Sequence, residues 1–299
     1  ERVKEEFLGI LSLNDVKDSL YFLDALGLLQ HIIPELRHTV GVTQPEEHYW
    51  NVFEHTIECA GAVERVTSVG DRDLVTRDLL RTDYLSDHLD DVVSDGHTRR
   101  TFLKLAALFH DIGKPQTRTT DGTGRMRFLG HAGLGASIAK ERMKSMKFGS
   151  RSRKHVSTMV AQHLRPSQMS QGFELPSKRA VRKFLRDTGD TAISVLFLSL
   201  ADYFAARGPR LDIKDWVHRV AQTNYVLTNY VVNEEMEYGE RINGMRLLSG
   251  DDLVEIFSLE PSPLFKTLLD RVQEFEDLDV IRTREEALGW VKTWLGRGE

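Results

Sequence analysis

Apolar residues recur at helical spacing along nearly the whole chain. Leu20, Leu23 and Leu26 follow one another every third residue, and Pro34 ends that segment. Similar stripes cover residues 49–57 and 101–109, and the most apolar segment, 192–206, is predicted to be a buried helix. Other amphipathic helices are expected from Ser177 onwards and over about 212–236. The pattern predicts an all-α protein.

Capping signals mark helix starts near the end of the chain. Ser249 before Asp251 and Asp252 predicts the N-cap of a helix that reaches Phe257. Thr283 with Glu286 three residues later predicts a capping box for the last helix. Strand patterns are scarce, and residues 117–129 are the best candidate for a small hairpin or an ordered loop.

Composition indicates a globular protein of one or two domains. The chain has 299 residues, of which 40% are hydrophobic and 28% charged, which excludes wholesale disorder. The single cysteine, Cys59, excludes an internal disulfide and a cysteine-rich zinc module, and is predicted to be a small core residue. No apolar run reaches about 18 residues, so we expect a cytoplasmic protein with no membrane partner.

Charge is unevenly distributed in this acidic chain. The net charge of −5 excludes a polycation built to coat nucleic acid. Residues 67–100 contain eight aspartates and are predicted to be a solvated insertion with one amphipathic helix. Basic residues concentrate over 140–154 and again over 178–186. Within the first run the candidate RNA contacts are Lys144, Lys147, Arg151 and Arg153. A solvated helix face is the alternative interpretation.

Histidine and aspartate stand together at the end of an apolar helix, where His110 and Asp111 precede Ile112-Gly113-Lys114-Pro115. Asp202 lies within the most apolar helix, where an unpaired carboxylate would cost several kcal/mol. Three further histidines stand at apolar-to-polar junctions: His55, His131 and His163. Any one of these histidines is best explained as an ordinary core or surface residue, but the ordered set favours metal binding.

The order of these residues resembles the HD superfamily of metal-dependent phosphohydrolases, and Leu108-Phe109-His110-Asp111-Ile112-Gly113-Lys114-Pro115 is very similar to its signature. The resemblance narrows towards the bacterial HD-containing CCA-adding tRNA nucleotidyltransferases and related poly(A) polymerase-like proteins. It is carried by Gly27-Leu28-Leu29, Pro34-Glu35-Leu36, His48, residues 52–56, Ala201-Asp202, Ala206-Arg207-Gly208, residues 248–253 and residues 283–287. It implies a helical neck over 1–40, an HD helical bundle over 41–210 and a helical tail over 211–299.

The resemblance also implies a ligand set and substrate contacts. His55, His110, Asp111 and Asp202 would hold a first metal ion, and His131 and His163 would hold a second, with Asp111 bridging the two and serving catalysis. One or two transition ions (Mn, Fe, Ni, Co or Zn) suit imidazole ligands better than Mg does. Lys114 would neutralise charge developing on the phosphate, and Arg165 and Arg207 are further phosphate contacts. For these two arginines a surface salt bridge is the alternative.

The chain also departs from the nucleotidyltransferase pattern. Those enzymes carry a catalytic head in which a Gly-Ser turn is followed by an Asp-x-Asp pair on a strand, and this combination does not occur here. Gly70-Asp71-Arg72-Asp73 is the nearest similar run and is interpreted as loop, and Pro261-Ser262-Pro263 replaces the usual Pro-Gly-Pro. We therefore expect that the chain alone does not add nucleotides. It would be the C-terminal part of such a protein or a stand-alone relative.

Three functions remain open at this point. The first is a metal-dependent phosphohydrolase that acts on phosphomonoesters or 2′,3′-cyclic phosphodiesters of nucleotides or RNA ends. It is favoured by the complete ligand set. The second is the tRNA-binding body and tail of a nucleotidyltransferase-like protein with a vestigial or regulatory HD site, which the tail motifs and the absent head motif favour. The third is a nucleotide-binding regulatory protein without turnover.

Overall fold

The computed structural model describes residues 2–68, 73, 75–170, 172, 174–239, 247–277 and 280–296, apart from the side chains of residues 230–239 and 277. Helices dominate it, as the periodicity predicts. Among the described residues the strands form two short antiparallel hairpins. The chain divides into one compact unit of residues 1–175 and 187–228 and a second of residues 176–186 and 229–299. The boundaries expected at residues 40 and 210 stay predictions.

The first unit contains most of the helices. They are α1 (Arg2–Ser12), α2 (Val16–Ala25), α3 (Leu29–Ile32), α4 (Val52–Thr67), α5 (Asp83–Asp90), α6 (Arg99–Phe109), α7 (Lys114–Thr117), α8 (His131–Ser145), α9 (Ser150–Gln162), α10 (Arg165–Gln168) and α12 (Ala192–Arg207). Its strands are β1 (Val92–Ser94) with β2 (His97–Thr98), and β3 (Arg118–Thr120) with β4 (Met126–Phe128). Helices α11 (Lys178–Thr188) and α13 (Ile213–Gly239) each have residues in both units.

The core of the first unit is built around α12. Eleven of its sixteen residues are buried, because its sequence is apolar on every side. It packs against α4 and α6, while α8 and α9 pair with each other. The elements predicted to carry the ligand histidines and aspartates therefore pack together in one unit.

A charged cluster around buried Lys104 fixes the turn between α1 and α2 to this core. Asp15, the N-cap of α2, has φ of 62° and makes no side-chain cap. The carboxylate of Glu64 on α4 instead accepts hydrogen bonds from the backbone N–H groups of Asp15 and Val16, at 3.1 and 3.0 Å. Lys104 on α6, which is 2% exposed, donates to Glu64 and to the carbonyl of Leu13, both at 2.7 Å. This network joins α4 to α6, the two helices that lead to the first histidines.

Both structural features predicted between residues 67 and 129 are present. The hairpin expected over 117–129 is the β3–β4 pair, with Arg118 opposite Phe128. The aspartate-rich insertion contains the amphipathic helix α5 and the β1–β2 hairpin. Part of the run interpreted as loop, residues 70–72, lies outside the described residues, and Asp73 adjoins it outside any helix.

The second unit contains α14 (Gly250–Glu255), α15 (Pro263–Asp277) and α16 (Arg284–Gly296). The N-cap predicted at Ser249 is present and forms a capping box with Asp252, and the capping box predicted between Thr283 and Glu286 is also present. Helix α14 ends at Glu255 instead of reaching Phe257, because Ser258 has φ of 55° and Leu259 N–H bonds back to the Leu253 carbonyl at 3.2 Å.

One helical stretch passes a length-and-hydropathy test for a membrane span. It covers Lys178–Arg210, and its best window has a mean hydropathy of 1.2. However, 67% of that window is buried within the protein, as is typical of a core helix. This burial agrees with the buried helix predicted over 192–206.

Candidate metal centre

Six side chains converge in the first unit, three of them from helices α4, α8 and α12 and three from the C-terminal ends of α6 and α9. Asn51 and Glu54 form a capping box that sets the start of α4, and His55 follows in its first turn. His110 is the C-cap of α6, with Asp111 next to it, and His163 is the C-cap of α9. His131 begins α8 and Asp202 lies in α12.

The first group is formed by His55, His110, Asp111 and Asp202, whose ligand atoms all lie within 4.8 Å of one another. His55 Nε2 is 3.0 Å from Asp202 Oδ1 and 3.4 Å from Asp111 Oδ2. His110 Nε2 is 3.2 Å from Asp111 Oδ2, and the two Nε2 atoms are 3.1 Å apart. Three of these side chains are fully buried, and Asp202 is 19% exposed.

The second group shares Asp111 and adds His131 and His163. Asp111 Oδ1 is 3.3 Å from His131 Nε2 and 4.0 Å from His163 Nε2, while the two Nε2 atoms are 3.4 Å apart. Asp111 therefore directs one carboxylate oxygen to each group. This is the arrangement of a carboxylate that bridges two ions.

These spacings fit metal coordination. Ligand atoms about 2.1 Å from an ion lie about 3.0–3.5 Å from each other in tetrahedral or octahedral geometry. Asp111 Oδ2 also lacks a hydrogen bond of good geometry, although it is buried. Four imidazoles and two carboxylates in a buried cluster are suited to binding metal ions.

Backbone carbonyls fix the orientation of three of the four histidines. Nδ1 of His110 bonds to the carbonyl of Ala107, and Nδ1 of His131 and of His163 bonds to the carbonyl three residues earlier, in each case at 2.7 Å. A carbonyl only accepts, so Nδ1 must carry the proton. In the neutral form of each ring, Nε2 then has a lone pair that faces the cluster, as a metal ligand requires.

Charges inside the cluster oppose the effect of burial at Asp111 and His110 and add to it at His163. Burial alone would raise the pKa of Asp111, but His110 and then Lys114 lower it by more than burial raises it, so the pKa lies well below its usual value. Burial lowers the pKa of His110, but Asp111 and Asp202 raise it to about 10. Burial, and then the charge on His110, lower the pKa of His163 to about 4. Because the pKa of His110 is raised, a metal ion that binds this imidazole would compete with a proton.

Two glycines allow α8 to approach the His110–Asp111 segment. A Cβ at Gly113 would lie 2.4 Å from the carbonyl oxygen of His131 and 2.9 Å from the backbone nitrogen of Gly135. A Cβ at Gly135 would meet the carbonyl oxygen of Phe109 at 3.3 Å. The glycine in the predicted signature is thus a packing requirement that holds His131 close to Asp111.

Lys114 is buried beside the cluster. Its Nζ is 2.6 Å from Asp111 Oδ2 and donates to Gln44 Oε1 at 2.5 Å. It also lies 5.5 Å from the centre of the Phe128 ring. An ammonium in this position can hold a negative group next to the metal ligands.

A cavity of about 810 Å³ opens onto both ligand groups. Asp111, His131, His163 and Asp202 form part of its wall. Basic side chains form another part: Lys114, Arg125, Arg127 and Arg165. Its volume lies within the range of small-molecule sites, about 300–1,000 Å³.

The structure also locates the other residues singled out from the sequence. Arg165 lines the cavity and its guanidinium lies 3.4 Å from Asp187. Arg207 is outside the described cavity lining. It donates to the carbonyl of Glu47 at 2.9 Å and covers the Tyr203 ring. His48 does not share a helix with His55, because α4 begins at Val52, yet its ring packs edge-on to His55 with centroids 5.5 Å apart.

Cys59 is fully buried in α4, as predicted, and burial raises the pKa of its thiol well above the usual value. Lys144, Lys147 and Arg151 are exposed near the junction of α8 and α9, away from the cavity lining. Arg153 is half-buried and its side chain donates to the Gly149 carbonyl at 3.3 Å.

Several cavity residues were missed in the sequence. Arg125, Arg127 and Phe128 lie in a segment without a ligand motif, and only the tertiary fold brings them to the site. The sequence did offer one signal for these residues, the glycine-rich hairpin directly before His131. A hairpin that leads straight into a metal ligand lies next to the metal site.

Two tRNA nucleotidyltransferases resemble the chain over nearly its whole length. The A-adding tRNA nucleotidyltransferase of Deinococcus radiodurans is 29% identical over 296 residues, which cover 98% of this chain and 58% of that protein. The CC-adding tRNA nucleotidyltransferase of Thermus thermophilus is 29% identical over 301 residues, or 100% of this chain and 58% of that protein. The chain thus spans 58% of the length of these relatives.

A bifunctional uridylyltransferase/uridylyl-removing enzyme of a Bradyrhizobium species is 25% identical over 180 residues, which cover 60% of this chain and 17% of that protein. The similarity to this enzyme is therefore confined to a part of each protein. A model of the HD domain matches residues 52–207, which is more than half of the chain. Since all six clustered histidines and aspartates fall within that match, the chain belongs to the HD domain family.

Proposed function

We propose that the protein is a metal-dependent phosphohydrolase that cleaves phosphomonoesters or 2′,3′-cyclic phosphodiesters of nucleotides or RNA ends. The observation that carries the proposal is the pair of ligand groups that share buried Asp111 in the wall of a cavity lined by basic side chains. Anionic substrates would enter such a cavity, and two ions held by one carboxylate suit an in-line displacement at phosphorus.

The ligand atoms indicate the class of metal. Imidazole nitrogens suit manganese, iron, cobalt, nickel or zinc better than magnesium, which prefers oxygen. His55, His110, Asp111 and Asp202 would hold one ion, and Asp111, His131 and His163 the other. When bound, such ions would lower the pKa of a water molecule and polarise a phosphoryl oxygen.

The remaining chemistry belongs to side chains of the chain itself. Lys114 would bind a phosphoryl oxygen and neutralise the charge that develops there, because its ammonium is already oriented by Asp111 and Gln44. Arg165 would attract the substrate at the cavity wall, and Arg207 is a more distant phosphate contact. Burial of His55, His110 and Asp111 excludes bulk water from the ligands and strengthens these interactions.

The direct test is hydrolysis by the purified protein with manganese, nickel or cobalt added. We expect turnover of p-nitrophenyl phosphate, nucleoside monophosphates or 2′,3′-cyclic nucleotides that depends on the metal and disappears with EDTA. Tight nucleotide binding without product would instead favour a regulatory role. The absence of both turnover and bound metal would contradict the proposal.

A second candidate function is tRNA binding, in which the HD site would be vestigial or regulatory. The specific observation is an exposed basic surface on α8 and α9, formed by Lys140, Lys144, Lys147, Arg151 and Lys154. The two tRNA nucleotidyltransferases that align along the chain also support it. Few aromatic side chains accompany these cations, so contacts would be made to phosphates rather than to stacked bases.

A salt titration of tRNA affinity tests this second function. The comparison is between the wild type and a variant with Lys144, Lys147, Arg151 and Arg153 changed to alanine. If the surface binds RNA, the variant binds more weakly and its affinity depends less steeply on salt. Equal affinity and equal salt dependence in the two proteins would remove the hypothesis.

A further inference from the structure

The four basic side chains in the cavity wall differ in what they contact. Lys114 contacts Asp111, a ligand of the metal centre, at 2.6 Å. Arg165 faces Asp187, and Arg127 pairs with Asp121 in the turn of its own hairpin at 2.9 Å. Arg125 pairs with Glu47, which lies 78 positions earlier in the chain, at 2.7 Å between Nη2 and Oε1.

The two partners of this ion pair belong to two segments that both line the cavity. The β3–β4 hairpin supplies Arg125, Arg127 and Phe128, and the segment before α4 supplies Pro45 and His48. The Arg125–Glu47 pair therefore links two parts of the cavity wall.

The segment that carries Glu47 is held firmly by α12 and the turn that follows it. Arg207 donates to the carbonyl of Glu47 and Arg210 to the carbonyl of His48, both at 2.9 Å. Tyr49 N–H donates to the carbonyl of Ala206 at 2.7 Å. These bonds involve the backbone, so the Glu47 side chain can change partner while the segment stays in place.

Arg125 can leave Glu47 at small energetic cost. Its side chain is 55% exposed and that of Glu47 is 48% exposed, and exposed pairs of this kind stabilise proteins only weakly. A phosphate carries more charge than a carboxylate and accepts both prongs of a guanidinium, so it is the better partner.

We propose that Arg125 is a specificity residue that exchanges Glu47 for a second phosphate of the substrate, beyond the one that reacts at the metal centre. The inference rests on the proposed function and narrows its substrate class. The favoured substrates are nucleotides or RNA ends that carry a second phosphate besides the reacting one. Glu47 acts as a competing anion that a substrate with one phosphate does not displace.

The test measures the affinity of adenosine 3′,5′-bisphosphate and adenosine 3′-monophosphate by calorimetry, with KM for both measured on the same protein. The wild type binds the bisphosphate more tightly. Arg125→Ala weakens binding of the bisphosphate about tenfold and leaves the monophosphate unchanged, because one charge-assisted contact is lost. Glu47→Gln strengthens binding of the bisphosphate about threefold, because the competitor is removed.

The double variant Glu47→Gln with Arg125→Ala behaves like Arg125→Ala alone, since Glu47 acts only through Arg125. Arg118→Ala is the matched control, because Arg118 is an exposed arginine on the same hairpin outside the described cavity lining. It leaves both affinities unchanged.

Equal affinity of the wild type for the two ligands would overturn the inference. So would an equal loss for both ligands in Arg125→Ala, or weaker bisphosphate binding in Glu47→Gln. Affinity is measured separately from product release, so the two proposals can fail independently. A protein that shows the expected affinities but no turnover would contradict the proposed hydrolase activity and would still support the binding of a second phosphate by Arg125.

Discussion

At the scale of single residues, Asp111 and Lys114 have different tasks despite their contact. Asp111 offers one oxygen to each ligand group, so both ion positions depend on it. Lys114 contacts the carboxylate but has no lone pair to give a metal while it is charged. Changes at the two positions should therefore separate metal binding from turnover.

Lys114→Met tests this separation. The variant should keep the wild-type metal content and lose about 10²-fold in kcat, because loss of one donor to a developing phosphate charge costs about this much. Elemental analysis and phosphatase assays on the same samples check it. Lys214→Met, at an exposed position of α13, is the control and should match the wild type. A kcat within twofold of the wild type in Lys114→Met would remove Lys114 from the proposed chemistry.

At the scale of elements, the centre depends on how closely α8 approaches the end of α6. The backbone atoms of His131 and Gly135 leave no room for a side chain at Gly113. The position of His131 is thus set by a contact that involves no ligand atom.

Gly113→Ala should separate α8 from the His110–Asp111 segment. We expect a loss of about 1–3 kcal/mol in the free energy of unfolding, as for other overpacked sites, together with weaker metal binding. Gly133→Ala, a change within α8 itself, is the matched control, since a Cβ there meets nothing within 4 Å. Denaturant unfolding and metal titration measure both effects. A Gly113→Ala protein as stable as Gly133→Ala would refute the packing argument.

The second unit has its own electrostatic anchor at Asp252. This nine-tenths-buried residue caps α14 through Ser249 and pairs with Arg284 at the start of α16, at 2.5 Å. Burial alone would raise the pKa of Asp252. Arg284 and Ser249 lower it by more than burial raises it, so the pKa lies below the ordinary value. A depressed carboxylate pKa stabilises the folded state above the unfolded-state pKa, near 3.9, and this stabilisation is lost as the pH falls through the folded-state pKa.

Asp252→Asn should therefore destabilise the second unit near neutral pH. The difference between the variant and the wild type in the free energy of unfolding should shrink as the pH falls below about 4. Because the second unit holds none of the six clustered ligands, the metal content should not change. Urea unfolding between pH 3 and 7, monitored by tryptophan fluorescence, measures this. A constant difference across that pH range would show that the Asp252 charge is not the cause.

At the scale of the whole molecule, the sequence predicted what depends on local pattern. The helices around His55, His110 and Asp202, the N-cap at Ser249 and the capping box of α16 follow from residues close together in the chain. The cavity wall could not be predicted in this way. In that wall, Lys114 contacts Gln44 across 70 positions of the sequence, and Arg125 contacts Glu47 across 78 positions. Periodicity and motifs carry no information about such distant pairs.

Metal binding should stabilise the protein, because the ligands meet only in the folded chain. At a free metal concentration of 100 times Kd the gain is about 2.7 kcal/mol, which corresponds to about 5–10 °C in Tm for a unit of this size. Calorimetry with added metal and with EDTA measures the shift. Asp111→Asn should show no such response. The same metal-dependent shift in that variant would place the binding site elsewhere.

The most direct measurement is the metal content of the purified protein beside that of Asp111→Asn, with Asp87→Asn at an exposed position of α5 as control. We expect one to two transition-metal ions per chain in the wild type and in Asp87→Asn, and markedly fewer in a folded Asp111→Asn protein. Equal metal content in all three proteins would contradict the shared-carboxylate centre, and with it the proposed hydrolase.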